Sequence, residues 1–130
     1  MAKVVHMPLT KAKNWTMGRP IRFKASLRAG KGTGSRNLYS PDDVYLMAMA
    51  YECSKAGMAA KAIGKLVEAV KAKFPSGLGA VETLFVSRGP KLAYRIETWE
   101  ERVPADAVVR IVIDVQGIRA LVDREVAKLR

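Results

Sequence analysis

The sequence predicts an α+β fold: a basic hairpin and a helix pair, then a small three-stranded antiparallel sheet and a C-terminal helix. Three observations lead there. Apolar residues recur at helical spacing through residues 41–74 and give way to short alternating stretches after residue 80. The tetrapeptide Ser40-Pro41-Asp42-Asp43 has the composition of a helix start. Charge is partitioned: residues 1–40 hold nine Lys or Arg and no acid, 41–74 hold five against four, and 75–130 hold nine against eight. At 130 residues the chain suits one domain, or a small domain with an appendage.

Taken in order, residues 8–18, PLTKAKNWTMG, read as a short helix opened by Pro8 or Thr10 and ended at Gly18, with Pro20 as a breaker. Residues 21–28 alternate: Ile21, Phe23, Ala25 and Leu27 fall on one face and Arg22, Lys24, Ser26 and Arg28 on the other. That is a strand with an apolar underside and a basic upper side. Residues 36–39, RNLY, read as its return strand, with Gly30, Gly32 and Gly34 at the tip between them. Ser40 then caps a helix running to about Ala56, with Gly57 closing it and Val44, Met47, Ala48 and Tyr51 in phase. A second helix is expected over 59–74, with Ile63, Leu66, Val67, Val70 and Phe74 as its stripe and Pro75-Ser76-Gly77 as its stop. Strands follow at 81–87, 92–99 and 108–114. The tail IRALVDREVAKLR is expected to turn Ile118, Leu121, Val122 and Leu129 inward as an amphipathic helix.

Composition narrows the function. No apolar run is long enough to span a bilayer, and the start MAKVVHMPLTKAK has no apolar core of a secretory signal. A cytoplasmic protein without membrane association is expected. One cysteine, Cys53, excludes an intrachain disulfide, and with His6 as the lone histidine a structural zinc site is not expected. Of a formal net charge of +11, nearly all the excess sits in the first third. Such a partition suits a chain whose basic part meets a polyanion while the rest folds and associates.

The stretch RAGKGTGSRNLYSPDD, residues 28–43, admits two chemistries. A phosphate loop needs Gly, four residues, then Gly-Lys-Ser/Thr, but here Lys31 is followed by Gly32. A dinucleotide fingerprint needs a third glycine where Ser35 stands. Both fail by spacing, and a basic hairpin tip that touches phosphates without reading bases fits better. Catalytic constellations are poor. His6 has no nucleophile beside it in sequence, and Cys53 reads as a small core or semi-exposed residue. Glu97, Glu100 and Glu101 alternate with Arg95 and Arg102 as a charge-balanced surface would. Trp15 and Trp99 read as packing residues, with Lys11, Lys13, Asn14 and Arg19 around Trp15 free to meet nucleic acid. No enzyme activity, cofactor or metal is expected.

The order helix, Trp, Gly-x-Pro-Ile, basic strand, glycine tip, Arg-x-Leu-Tyr-Ser-x-x-Asp-Val, helix, Ala-Gly, helix resembles the MerR-type winged helix-turn-helix over about residues 8–74. The resemblance implies a wing carrying Lys24, Arg28 and Lys31, and Arg36 and Tyr39 at positions that touch the DNA backbone; Arg22, on the basic face of the 21–28 strand, is expected to bind DNA with them. It implies a recognition helix bearing Lys11, Lys13 and Asn14, with Arg19 beside it, and a helix pair that braces the DNA-binding surface. Such domains usually begin with a further helix. Only Met1–Met7 precede Pro8, so a truncated winged helix-turn-helix is expected. The cysteines of metal sensors and the long C-terminal coiled coil of family dimers are also missing from the sequence. Two units are therefore expected: a DNA-binding part at 1–75, and a sheet-and-helix part at 76–130 for dimerisation or partner binding. The implied protein is a dimeric bacterial or phage transcription regulator that binds double-stranded DNA. The alternatives are an autoregulatory antitoxin with a toxin partner, or an RNA-binding or structural protein that has lost DNA readout.

Overall fold

The computed structural model describes residues 40–90 and 93–129. Helix α1 spans Pro41–Lys55 and α2 Ala60–Lys73; strands β1, β2 and β3 span Thr83–Arg88, Tyr94–Glu97 and Val109–Asp114; helix α3 spans Val115–Lys128. A single 3-10 turn, Glu100–Arg102, lies between β2 and β3. The α+β class, the helix pair, the three-stranded antiparallel sheet and the terminal helix are thus as expected. The short helix at 8–18, the basic strand, the glycine tip and the RNLY strand lie outside the described residues.

The start of α1 is set by its own sequence. The Ser40 hydroxyl accepts from the Asp43 N–H at 3.2 Å, and the Asp43 carboxylate accepts from the Ser40 N–H at 2.9 Å. This reciprocal box satisfies two donors that a helix start leaves unpaired. Pro41 occupies the first turn, where its missing N–H forfeits no helical bond. At the other end the Gly57 N–H donates to Ser54 at 3.1 Å and the Met58 N–H to Cys53 at 3.0 Å. That pattern requires a left-handed residue after the cap, and Gly57 supplies it at φ +99°. The turn is short, and α2 packs against α1.

Helix α1 is the centre of the molecule. Met47 and Ala48 are buried as expected, but so are Leu46, Met49, Ala50 and Cys53, while Val44 and Tyr51 are only half-buried. A helix apolar on every side of its middle turns is one enclosed by neighbours, and α1 contacts both α2 and α3. Helix α2 buries a single stripe, Ile63, Leu66, Val67 and Val70, with Phe74 half-buried at its end.

The sheet order is β2-β1-β3, with β1 antiparallel to both neighbours. Register places Val86 between Ile96 and Ile111, and Leu84 opposite Ile113. Leu84, Val86, Ile96 and Ile113 are buried in the same cluster as the α1 and α2 side chains. Residues 40–75 and 76–129 therefore share one core. The opposite face of the sheet carries Phe85 between Glu97 and Val112, and Ser87 between Arg95 and Arg110.

Three local expectations need correction. Helix α3 begins at Val115 rather than Ile118, because Asp114 ends β3 and caps the helix at once, accepting from the Gly117 N–H at 2.9 Å. Leu121 and Leu129 are 52% and 58% exposed. The helix packs instead through Val115 and Val122, with Ile118 and Val126 partly buried. Leu121 is one position, about 100° of helix rotation, away from Val122. Leu129 lies at the C-cap, beyond the last packed turn. Finally, Trp99 is 61% exposed rather than packed, since it stands where β2 has ended and the chain enters the 3-10 turn.

Candidate nucleic-acid interface

All ten residues expected to touch DNA, Lys11, Lys13, Asn14, Arg19, Arg22, Lys24, Arg28, Lys31, Arg36 and Tyr39, lie outside the described residues. What the described residues define is the support to which that basic segment connects. Its attachment point is Ser40, held by the capping box.

Beside that point, a cleft of about 510 Å³ separates the start of α1 from the end of α2 and the turn after it. Asp42, Asp43, Leu46, Phe74 and Gly77 are among the residues that line it. Gly77 adopts φ +93°, and a Cβ there would collide with the Asp42 carboxylate. With no side chain at residue 77, the loop from α2 to β1 meets α1 without displacing the Asp42 carboxylate.

The same loop is fixed from the other side. The Arg119 guanidinium on α3 donates to the carbonyl of Leu78 at 2.6 Å and to that of Val81. Leu78 and Val81 are buried, so these carbonyls have few alternatives to a protein donor. A second tie joins α3 to α1: the Tyr45 hydroxyl donates to Asp123 at 2.6 Å. Its pKa is raised, first by this hydrogen bond and then by burial. Sequence spacing gave no sign of either bond, because the partners stand 78 and about 40 positions apart.

The outer side of α2 is basic. Lys61, Lys65, Lys71 and Lys73 are exposed on it, with Glu68 as the helix's only acid. Lys61 and Lys65 are four residues apart and therefore share a face. The carboxylates Glu100 and Glu101 are exposed and Glu97 half-buried. The nearby Arg95 pairs with Asp106 at 3.5 Å. Cys53 is 8% exposed, and burial, reinforced by the Glu52 charge, pushes its thiol up to about 11. A neutral buried thiol is a poor nucleophile. Among the described residues no His, Cys, Asp and Glu group has the make-up of a metal site, and no helix is long and apolar enough to cross a membrane.

Comparison with known protein families finds none that matches this chain, and comparison with curated proteins finds no match.

Proposed function

We propose that the chain is a DNA-binding protein, a dimeric transcription regulator of bacterial or phage type. Its basic N-terminal third forms a MerR-like wing and short recognition helix, and residues 40–129 form the folded body that carries them. The observation behind this reading is the partition of charge: nine basic residues and no acid in residues 1–40, joined to a body close to neutral. Such a segment binds phosphates and releases counterions, so affinity falls steeply with salt. In sequence, Arg36 and Tyr39 stand four residues and one residue before Ser40, the cap of α1. The exposed lysines of α2 extend the same sign of charge onto that body. Base reading falls to Lys11, Lys13 and Asn14, and phosphate contact to Arg22, Lys24, Arg28, Lys31 and Arg36.

The test is fluorescence anisotropy of labelled duplex DNA at several salt concentrations. Binding at low salt that weakens as salt rises is expected. Arg28→Ala with Arg36→Ala removes two phosphate contacts and lowers the salt slope by about 2. Absence of duplex binding at low salt, or a double variant that binds as the wild type does, rejects the reading. Structured RNA and single strands, run in parallel, identify the RNA-binding alternative if either binds more tightly than duplex DNA.

A further inference from the structure

Strand β3 lies at the edge of the sheet, paired with β1 on one side and with no strand on the other among the described residues. It is six residues long and apolar at its centre, Val109-Arg110-Ile111-Val112-Ile113-Asp114. An edge of this kind is a template for another strand, and proteins usually blunt it with a proline, a bulge or an inward charge. β3 contains no proline, and its charged residues, Arg110 and Asp114, stand on the outer face, away from the core.

The sequence of the edge is complementary to itself. In antiparallel pairing about a two-fold axis through Val112, residues whose numbers are equally far from 112 stand opposite each other and on the same face. Arg110 of one copy then meets Asp114 of the other, twice. Ile111 meets Ile113 on the core face, twice, and Val112 meets its own counterpart. Val112 is 65% exposed. Among the described residues Arg110 has no ion pair within its own chain. Asp114 is exposed and uses one oxygen to cap α3, leaving the other for a partner. A register two residues off in either direction would lose the double pairing of opposite charges.

The core-side flank of this edge fits the same arrangement. A cleft of about 400 Å³ runs beside β3, lined by Met49, Cys53, Ile111, Ile113, Ile118 and Leu121 among others. Leu121, turned away from its own core, is 52% exposed on this flank. A two-fold axis perpendicular to the sheet puts both α3 helices on one side of it and both clefts at the seam.

We propose that the chain dimerises through β3, joining two sheets into one of six strands in the order β2-β1-β3-β3-β1-β2, with Arg110 and Asp114 setting the register. The proposal supplies the dimer of the regulator described above, and rests on that reading only for the dimer's use. It is tested without DNA, so the two can fail separately.

Sedimentation equilibrium of the full chain is expected to show a dimer. Arg110→Asp places like charges opposite each other at both ends of the seam, and so does Asp114→Arg. Each variant alone is expected to raise the dimer dissociation constant by about 10- to 100-fold. Mixed in equal amounts they restore both opposite-charge pairs, and a heterodimer is expected to return. Circular dichroism of each variant separates lost association from lost folding, and the mixture carries its own internal control for the helix cap lost at Asp114. A Val112→Cys variant gives a second readout. Opposed residues in antiparallel strands lie about 4.5 to 5.5 Å apart at Cα, within disulfide reach. Mild oxidation is therefore expected to link Val112→Cys chains in pairs. Val108→Cys, 61% exposed in the parent residue, should not link, since at about 3.3 Å per residue it sits roughly 13 Å from the axis. A monomeric wild type, an undiminished Arg110→Asp dimer, or equal cross-linking at 108 and 112 overturns the proposal.

Discussion

Cys53 shows how much a single position depends on its surroundings. Its place among apolar helical turns identifies it as a small core or semi-exposed residue. Helix α1 being enclosed on both sides decides for the core, and the thiol is consequently pushed up to about 11 from 9.0. The sign of the consequence follows from linkage. Between about pH 9 and about pH 11 the unfolded chain has released this proton and the folded chain has not, so folding binds a proton and stability falls as pH rises through that window. Below pH 9 both states hold the proton and the effect vanishes. Urea midpoints compared between wild type and Cys53→Ala should show a wild-type advantage that shrinks between about pH 8 and about pH 11. A constant difference across that range would contradict the burial of the thiol. At Trp99 the outcome is the reverse, because a large aromatic predicts packing only if some element covers it. Its position at the end of β2, where the chain turns, is not encoded in its own identity.

At the scale of elements, ends were more legible than middles. Ser40-Pro41-Asp42-Asp43 and the glycine at 57 fix both ends of α1 through bonds within five residues of each other, so local sequence suffices. Periodicity puts the start of α3 three residues too late, because Asp114 serves both as the last strand residue and as a helix cap. Pro75-Ser76-Gly77 reads as a stop, yet Gly77 has a second role that depends on Asp42, 35 positions earlier. Gly77→Ala combines a disfavoured φ with a collision against the Asp42 carboxylate, and should lower stability by about 2 kcal/mol. Thermal or urea denaturation measures it. Adding Asp42→Ala should recover the part due to collision and leave the part due to φ, so a double variant no better than the single one would place the whole cost in the backbone.

Over the whole molecule, the helix pair and the sheet behave as one body because they share a core. Met47, Leu66, Leu84 and Val86 belong to a single buried cluster, and Arg119 and Tyr45 tie α3 to the loop before β1 and to α1. Leu66→Ala in α2 and Leu84→Ala in β1 should each cost about 2–5 kcal/mol. Hydrogen exchange should report loss of protection in both helices and strands for either variant. Protection lost in α2 alone after Leu66→Ala would mean that the two parts unfold independently. The basic segment of residues 1–40 carries nine of the eleven net positive charges, and residues 41–130 are close to neutral.

The order of elements, the α+β class, the capped start of α1, the stripe of α2 and the concentration of positive charge in the first third are all legible in the residues read in order. Each rests on neighbours within a turn or two, or on composition, and needs no knowledge of the fold. Long-range packing alone shows that α1 is central, that Leu121 faces outward beside the edge strand β3, and that residue 77 meets the Asp42 carboxylate. It also brought Arg119 to the carbonyls of Leu78 and Val81. These facts join residues tens of positions apart. A chain's local pattern can say that a helix has an apolar side, but only the packing of its neighbours says how many sides are covered.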